Sequence, residues 1–161
     1  MDWTSKFQRI AENYTQDNWN LQFDTSIEEN NQDCGWKEYI RRTCARFKCR
    51  LCKRTWPSNK VMVIFHMHLN NHTHQGIIKV RCFRQNCKIC TDAPMEQPHI
   101  DEDNVLIMLE GLMKNIRKKF YKEVFEEMDK KPQGVEVKSP HEPDHCEGCR
   151  AGICSQGQSM P

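Results

Sequence analysis

At 161 residues and 19.1 kDa the chain is long enough for one domain with tails and too short for a second large core. Only 37% of its residues are hydrophobic and 29% are charged, so apolar burial needs reinforcement, and ten cysteines offer it through bound metal. A net charge of +2 conceals segregation: residues 1–33 hold two cations against seven acids, while residues 37–60 hold nine cations against Glu38 alone.

The N-terminus does not fit a secretory leader, because Met1-Asp2-Trp3-Thr4-Ser5-Lys6 runs into a polar, amphipathic stretch. The best apolar run, Val61–Phe65, falls far short of the roughly 20 residues needed to cross a bilayer. A reduced, cytoplasmic setting is expected, in which paired cysteines hold metal rather than form disulfides.

Trp3, Phe7, Ile10, Ala11 and Tyr14 recur at helical spacing and predict an amphipathic helix over residues 2–15. Trp19, Leu21 and Phe23 alternate with Asn20 and Gln22, the pattern of a short strand. Trp36, Tyr39, Ile40 and Cys44 predict a second short helix ahead of Phe47. Val61–His68 and Ile77–Phe83 are apolar, β-branched runs flanking polar residues 70–76, and read as an antiparallel hairpin with a long loop. Pro94 and Pro98 mark a linker. Asp101-Glu102-Asp103 then opens a long amphipathic helix over about 101–128, with Val105, Leu109, Leu112, Met113, Ile116, Phe120, Val124 and Phe125 on one face and cations toward its end. The expected fold is a small α+β zinc-stabilised domain: an antiparallel, zinc-ribbon-like hairpin core, flanking helices and the long helix. Its parts are an N-terminal helical and strand region (1–45), the ribbon core with the long helix (46–128), a loop carrying a compact metal cluster (129–154) and a polar tail (155–161).

Three C-x-x-C pairs carry the chemistry: Cys49 and Cys52, Cys87 and Cys90, Cys146 and Cys149. The first two lie on either side of the expected hairpin, which returns the chain to its start and lets four thiolates close one tetrahedral zinc site. A thioredoxin-type reading would need a thiolate at a helix N-terminus, and neither pair precedes a clear helix. The third pair extends to His141, Cys146, Cys149 and Cys154, four donors expected to close a second site. An alternative grouping joins the third pair to the others, with His66 or His145 completing a set. His141-Glu142-Pro143-Asp144-His145 also matches H-E-x-x-H, but Pro140 and Pro143 preclude the helix that a zinc protease needs. Two zinc ions and no catalytic residues are expected. Cys34, Cys44 and Cys82 read as small apolar residues, and one of His66 and His68 as a buried structural histidine.

The basic block supplies a candidate surface for nucleic acid or another acidic partner: Lys37, Arg41, Arg42, Arg46, Lys48, Arg50, Lys53 and Arg54, with Trp36, Phe47 or Trp56 as stacking platforms. The competing reading spends these cations on the acidic N-terminal segment and on a four-thiolate zinc site, which carries about −2.

The segments Phe47–Ser58, Phe65-His66-Met67, Val80–Cys90 and His141–Cys154 resemble the zinc-finger domain with three C-x-x-C motifs. With the Trp3 and Phe7 helix, Trp19, Gly35-Trp36-Lys37 and Lys118-Lys119-Phe120-Tyr121, the chain resembles the receptor-transporting protein family over nearly its whole length. Cys146-Glu147-Gly148-Cys149 with Gly152-Ile153-Cys154 is most similar to the interferon-induced antiviral branch. The resemblance implies a non-enzymatic accessory protein facing the cytosol, which assists folding, transport and surface delivery of seven-helix receptors and takes no small-molecule substrate. For the interferon-induced branch it also implies innate antiviral defence through binding of viral or other single-stranded RNA. Members of the family continue into a C-terminal membrane anchor; none is expected within this sequence.

Overall fold

The computed structural model describes residues 3–29, 35–123 and 145–147. Along them run α1 (Trp3–Glu12), β1 (Asn18–Phe23), β2 (Lys37–Lys48), β3 (Thr55–Asn70), β4 (Gln75–Cys82), β5 (Gln85–Asn86), β6 (Met95–Glu96) and α2 (Glu102–Phe120). One sheet has the order β1-β4-β3-β2, and β5 pairs with β6 in another. β1 and β4 are parallel, with Trp19 opposite Gly76. The β2–β3 and β3–β4 connections span only residues 49–54 and 71–74, too short for a parallel crossover, so those pairs are antiparallel and the sheet is mixed. The fold is the α+β domain expected.

Two corrections concern β2 and the β3–β4 hairpin. The helix expected around residues 36–44 is strand β2, in which Tyr39, Arg41, Thr43, Ala45 and Phe47 are buried at every second position. Arg41 hides this alternation in the sequence; it is only 9% exposed, and its guanidinium donates to the Tyr39 hydroxyl at 2.7 Å. The expected hairpin is real but its strands are longer and its loop shorter. Asn70 Oδ1 accepts the N–H groups of His72 and Thr73, and His74 takes a left-handed φ of 57°, which closes the turn within residues 71–74.

The chain forms two compact units. The first comprises the described residues of Met1–Arg41, Ile64–Arg81 and Val105–Lys131. Its core takes Trp3, Phe7 and Ala11 from α1, Trp19 and Leu21 from β1, Ile64, Phe65 and Met67 from β3, and Ile78 and Val80 from β4. Val105, Met108, Leu109, Leu112, Met113 and Ile116 line one stripe of α2 and are no more than 1% exposed. Trp19 is fixed on every side: its ring lies 5.5 Å from Phe120, its Nε1–H donates to the Tyr121 hydroxyl at 3.2 Å, and Gly76 lies beneath it. Tyr121 in turn donates to Asp17 at 2.5 Å, which, ahead of the opposing effect of burial, holds that carboxyl below its usual range. The long helix is shorter than expected. It stops at Phe120, Lys122 adopts φ 58°, and the Glu123 N–H reaches back to the Arg117 carbonyl. Val124 and Phe125 lie outside the described residues.

The second unit comprises the described residues of Arg42–Val63, Cys82–Asn104 and Pro132–Pro161. Ala45, Phe47, Val61, Met62, Val63, Phe83 and Ile100 are buried in it. The stretch expected as a linker around Pro94 and Pro98 contains β6, whose Glu96 lies opposite Gln85 of β5. Short as these strands are, they turn residues 87–94 into a hairpin loop matching the one at residues 49–54. Both loops carry a C-x-x-C pair.

Candidate metal centre

Each loop is a thiolate knuckle built by its own backbone. In the first, the Cys49 N–H donates to the Arg54 carbonyl, the Lys53 N–H donates back to Cys49, and Lys53 accepts a left-handed φ of 65° to close the turn. This geometry points amides at the first sulfur, with the Cys52 N–H 3.5 Å from Cys49 Sγ. The N–H groups of Cys52 and Leu51 bring the Cys49 thiol below its ordinary value against the effect of burial. The second knuckle repeats the device, with the N–H groups of Cys90 and Ile89 directed at Cys87.

The two knuckles converge. All four sulfurs lie within 4.8 Å of one another, with Cys49 3.8 Å from Cys90 and Cys52 3.7 Å from Cys87. A tetrahedral zinc ion with Zn–S bonds of about 2.3 Å requires sulfurs about 3.8 Å apart, so these four residues fit zinc as they stand. Four sulfurs at this distance also resist joint ionisation without a cation: Cys90 is pushed up to about 12, first by hydrogen bonding with Cys52 and then by burial. Cys49 and Cys87 are buried, Cys90 is half-buried and Cys52 is exposed. A metal bound here would link two hairpin loops and, with four protein sulfurs, would keep no position for a reacting water.

The surrounding residues hold the knuckles in place, and sequence reading assigned some of them elsewhere. Arg54, expected to bind a partner, donates from Nε to Cys87 Sγ at 3.4 Å and lies 4.6 Å from the centre of the Trp56 ring. Burial pushes the Cys87 thiol up, but Arg54 and the knuckle amides outweigh it and bring it down to about 6. Arg50 is bound through its guanidinium to both oxygens of Glu96 at 3.2–3.3 Å, and its backbone N–H reaches the same carboxylate at 2.9 Å. These bonds hold Glu96 below its usual range and fasten the first knuckle to β6. Glu96 escaped notice in the sequence because it lies between two prolines; the carboxylate flanked by Met95 and Gln97 carries no motif.

Replacing Arg54 with glutamine removes a charged donor to a ligand sulfur and is expected to weaken zinc binding by about 10- to 100-fold. Competition with a chromophoric chelator measures this, and wild-type affinity in R54Q would show that the Arg54–Cys87 contact contributes nothing.

The rest of the expected basic surface divides. Lys37 is exposed and Arg41 buried in the first unit. In the second, Arg42, Arg46, Lys48, Arg50 and Lys53 are exposed, though Arg50 is committed to Glu96, and the backbone of Arg46 is paired with His99 at 2.7 and 2.9 Å. The stacking platforms are occupied: Phe47 is 2% exposed and stacks on Trp56 at 5.5 Å, while Trp36 lies against His68 under Lys79. Trp56 also donates to Gln85 Oε1 at 2.8 Å.

Of the second expected metal set, Cys146 lies within the described residues, while His141, Cys149 and Cys154 lie outside them. Cys146 is buried and bridges Gln85 of β5. Its neighbours secure that position, His145 bonding Asn86 at 2.7 Å and Glu147 pairing with Arg84 at 2.9 Å. Cys44 and Cys82 are buried as expected of small apolar residues, and burial pushes the Cys82 thiol up to about 12. Cys34 falls outside the described residues. His66 is the buried histidine, 2.9 Å from Glu38.

The family described as a zinc-binding domain, a zinc ribbon with three C-x-x-C motifs, matches residues 42–152. Mouse receptor-transporting protein 3 is 34% identical over 157 residues, which is 96% of this chain and 33% of that protein. Human receptor-transporting protein 4 is 32% identical over 96% of this chain and 64% of its own length, and human receptor-transporting protein 1 is 28% identical over 94% and 59%. The chain therefore spans less than two thirds of each of these relatives. No solved structure matches it. Among the described residues, no helix is long and apolar enough to cross a membrane. With the four-sulfur geometry and the family match in agreement, the chain belongs to the zinc-binding domain family with three C-x-x-C motifs, and the relatives it aligns with are receptor-transporting proteins.

Proposed function

We propose that this protein is a non-enzymatic, zinc-dependent accessory factor that promotes folding, transport and surface delivery of seven-helix receptors from their cytosolic side. The observation that carries this reading is the alignment of nearly the whole chain with proteins named for receptor transport, around cysteines spaced for a closed structural site. Zinc in such a site supplies folding free energy rather than reactivity. A second zinc ion, held by His141, Cys146, Cys149 and Cys154, belongs to the same proposal. Its support is the docking of residues 145–147 on β5, which anchors one of the four donors.

Co-expression with an epitope-tagged seven-helix receptor tests the reading. The wild-type chain is expected to raise receptor surface signal several-fold, and Cys49→Ser with Cys87→Ser to abolish the gain. An unchanged surface signal across a panel of such receptors would contradict it.

Exposed Arg42, Arg46 and Lys48 of β2, the last two at alternate positions, favour a second reading, an RNA-binding antiviral module. Changing these three to glutamine leaves the Arg50–Glu96 and Arg54–Cys87 contacts intact. Affinity for single-stranded RNA is expected to fall and its salt dependence to flatten; an unaltered salt slope rules out phosphate contact by this face.

A further inference from the structure

The third position of each knuckle holds a large aliphatic residue, Leu51 in Cys49-Arg50-Leu51-Cys52 and Ile89 in Cys87-Lys88-Ile89-Cys90. They are 57% and 68% exposed, although both amides serve the sulfurs. Metal binding needs those amides and has no use for the side chains. Because the four sulfurs lie within 4.8 Å, the two turns that carry these aliphatic residues are neighbours. Exposed Arg50, Lys53 and Lys88 flank them on the same two turns. Arg50 stays 62% exposed while bonded to Glu96. On the described residues of these two turns the one acidic side chain is Asp92; Glu96 of β6 is held by Arg50, Lys88 makes a further contact of its own, and the thiolates are offset in part by Arg54 and would be further offset by a bound zinc ion.

We propose that these two turns dock on an anionic phospholipid surface, with Leu51 and Ile89 entering the headgroup region and Lys53, Lys88 and Arg50 meeting the acidic headgroups. Paired aliphatic tips beside long cations suit an interface that is apolar below and anionic above, where lysine and arginine extend toward the charged layer. A polypeptide partner is the poorer fit: such interfaces are anchored by aromatic residues in desolvated pockets, and these are exposed aliphatic side chains on two short turns. The knuckle backbone is already fixed by its amide–sulfur bonds, so docking orders little that is not ordered beforehand.

The zinc-loaded chain is tested by co-sedimentation with phosphatidylcholine vesicles, with and without phosphatidylserine. Binding is expected to require phosphatidylserine and to weaken with salt. Leu51→Ser with Ile89→Ser is expected to weaken it about tenfold or more at unchanged zinc content, and Lys53→Gln with Lys88→Gln by a similar factor. Leu51→Trp with Ile89→Trp is expected to strengthen it, since tryptophan favours the membrane interface. Absence of wild-type binding to the anionic vesicles overturns the proposal. So does equal binding by the serine and tryptophan pairs, or cross-linking of the tips to a polypeptide without vesicle binding.

Discussion

Chelation of zinc, or joint replacement of Cys49 and Cys87 by serine, is expected to unfold the second unit. Structural zinc contributes apparent binding free energies of about 10–16 kcal/mol in small domains, as large as the whole stability of a typical domain, about 5–15 kcal/mol. The knuckle end of the unit has few other ties among the described residues. Strands β5 and β6 are two residues each, and the loops at 49–54 and 87–94 are tied by Arg50–Glu96 and by the sulfur cluster. Amide hydrogen exchange reads the outcome locally. Protection across residues 42–63 and 82–100 is expected to collapse on chelation, and α1 and the buried stripe of α2, which lie in the first unit, to remain protected. Uniform loss would mean that both units unfold together; full retention in 42–63 would mean that the metal does not hold this unit.

Trp19→Ala is expected to be the most damaging single change in the first unit, costing about 3–5 kcal/mol. The ring is 2% exposed, meets Phe120 edge-on and anchors the Tyr121 hydroxyl that also serves Asp17 and Thr15. Its position also explains Gly76. A Cβ there would lie 2.3 Å from two ring carbons of Trp19, a contact that no flexible side-chain tip can relieve. Gly76→Ala is therefore expected to cost about 1–3 kcal/mol in the wild-type background and close to nothing once Trp19 is alanine. Denaturant titration of the two single variants and the double variant measures this coupling. Additive losses would show that Gly76 is set by something other than the ring.

The order of elements was largely legible in the sequence because the governing residues are apolar and periodic. Trp3, Phe7 and Ala11 mark α1, Trp19 and Leu21 mark β1, and the stripe from Val105 to Ile116 marks α2. The failures have definite causes. β2 is hidden in the sequence because Arg41 occupies a buried position, satisfied by a tyrosine hydroxyl that no local pattern announces. β6 is hidden because two prolines flank a two-residue strand whose partners lie nine and eleven residues away. The clustering of the four cysteines was legible, since C-x-x-C spacing encodes both half-sites and the intervening hairpin brings them together. The function of the basic residues was not, because charge alone does not distinguish Arg54, which serves a sulfur, or Arg50, which holds Glu96, from the exposed cations of β2.

Elemental analysis of zinc in the purified chain, beside the Cys49→Ser, Cys87→Ser variant, tests the central claim most directly. The wild-type chain is expected to carry two zinc ions, one of them in the four-cysteine site and the other in the proposed histidine-containing set, and the variant to carry at least one fewer. Equal zinc content in the two proteins would contradict the assignment of Cys49, Cys52, Cys87 and Cys90 as a metal site.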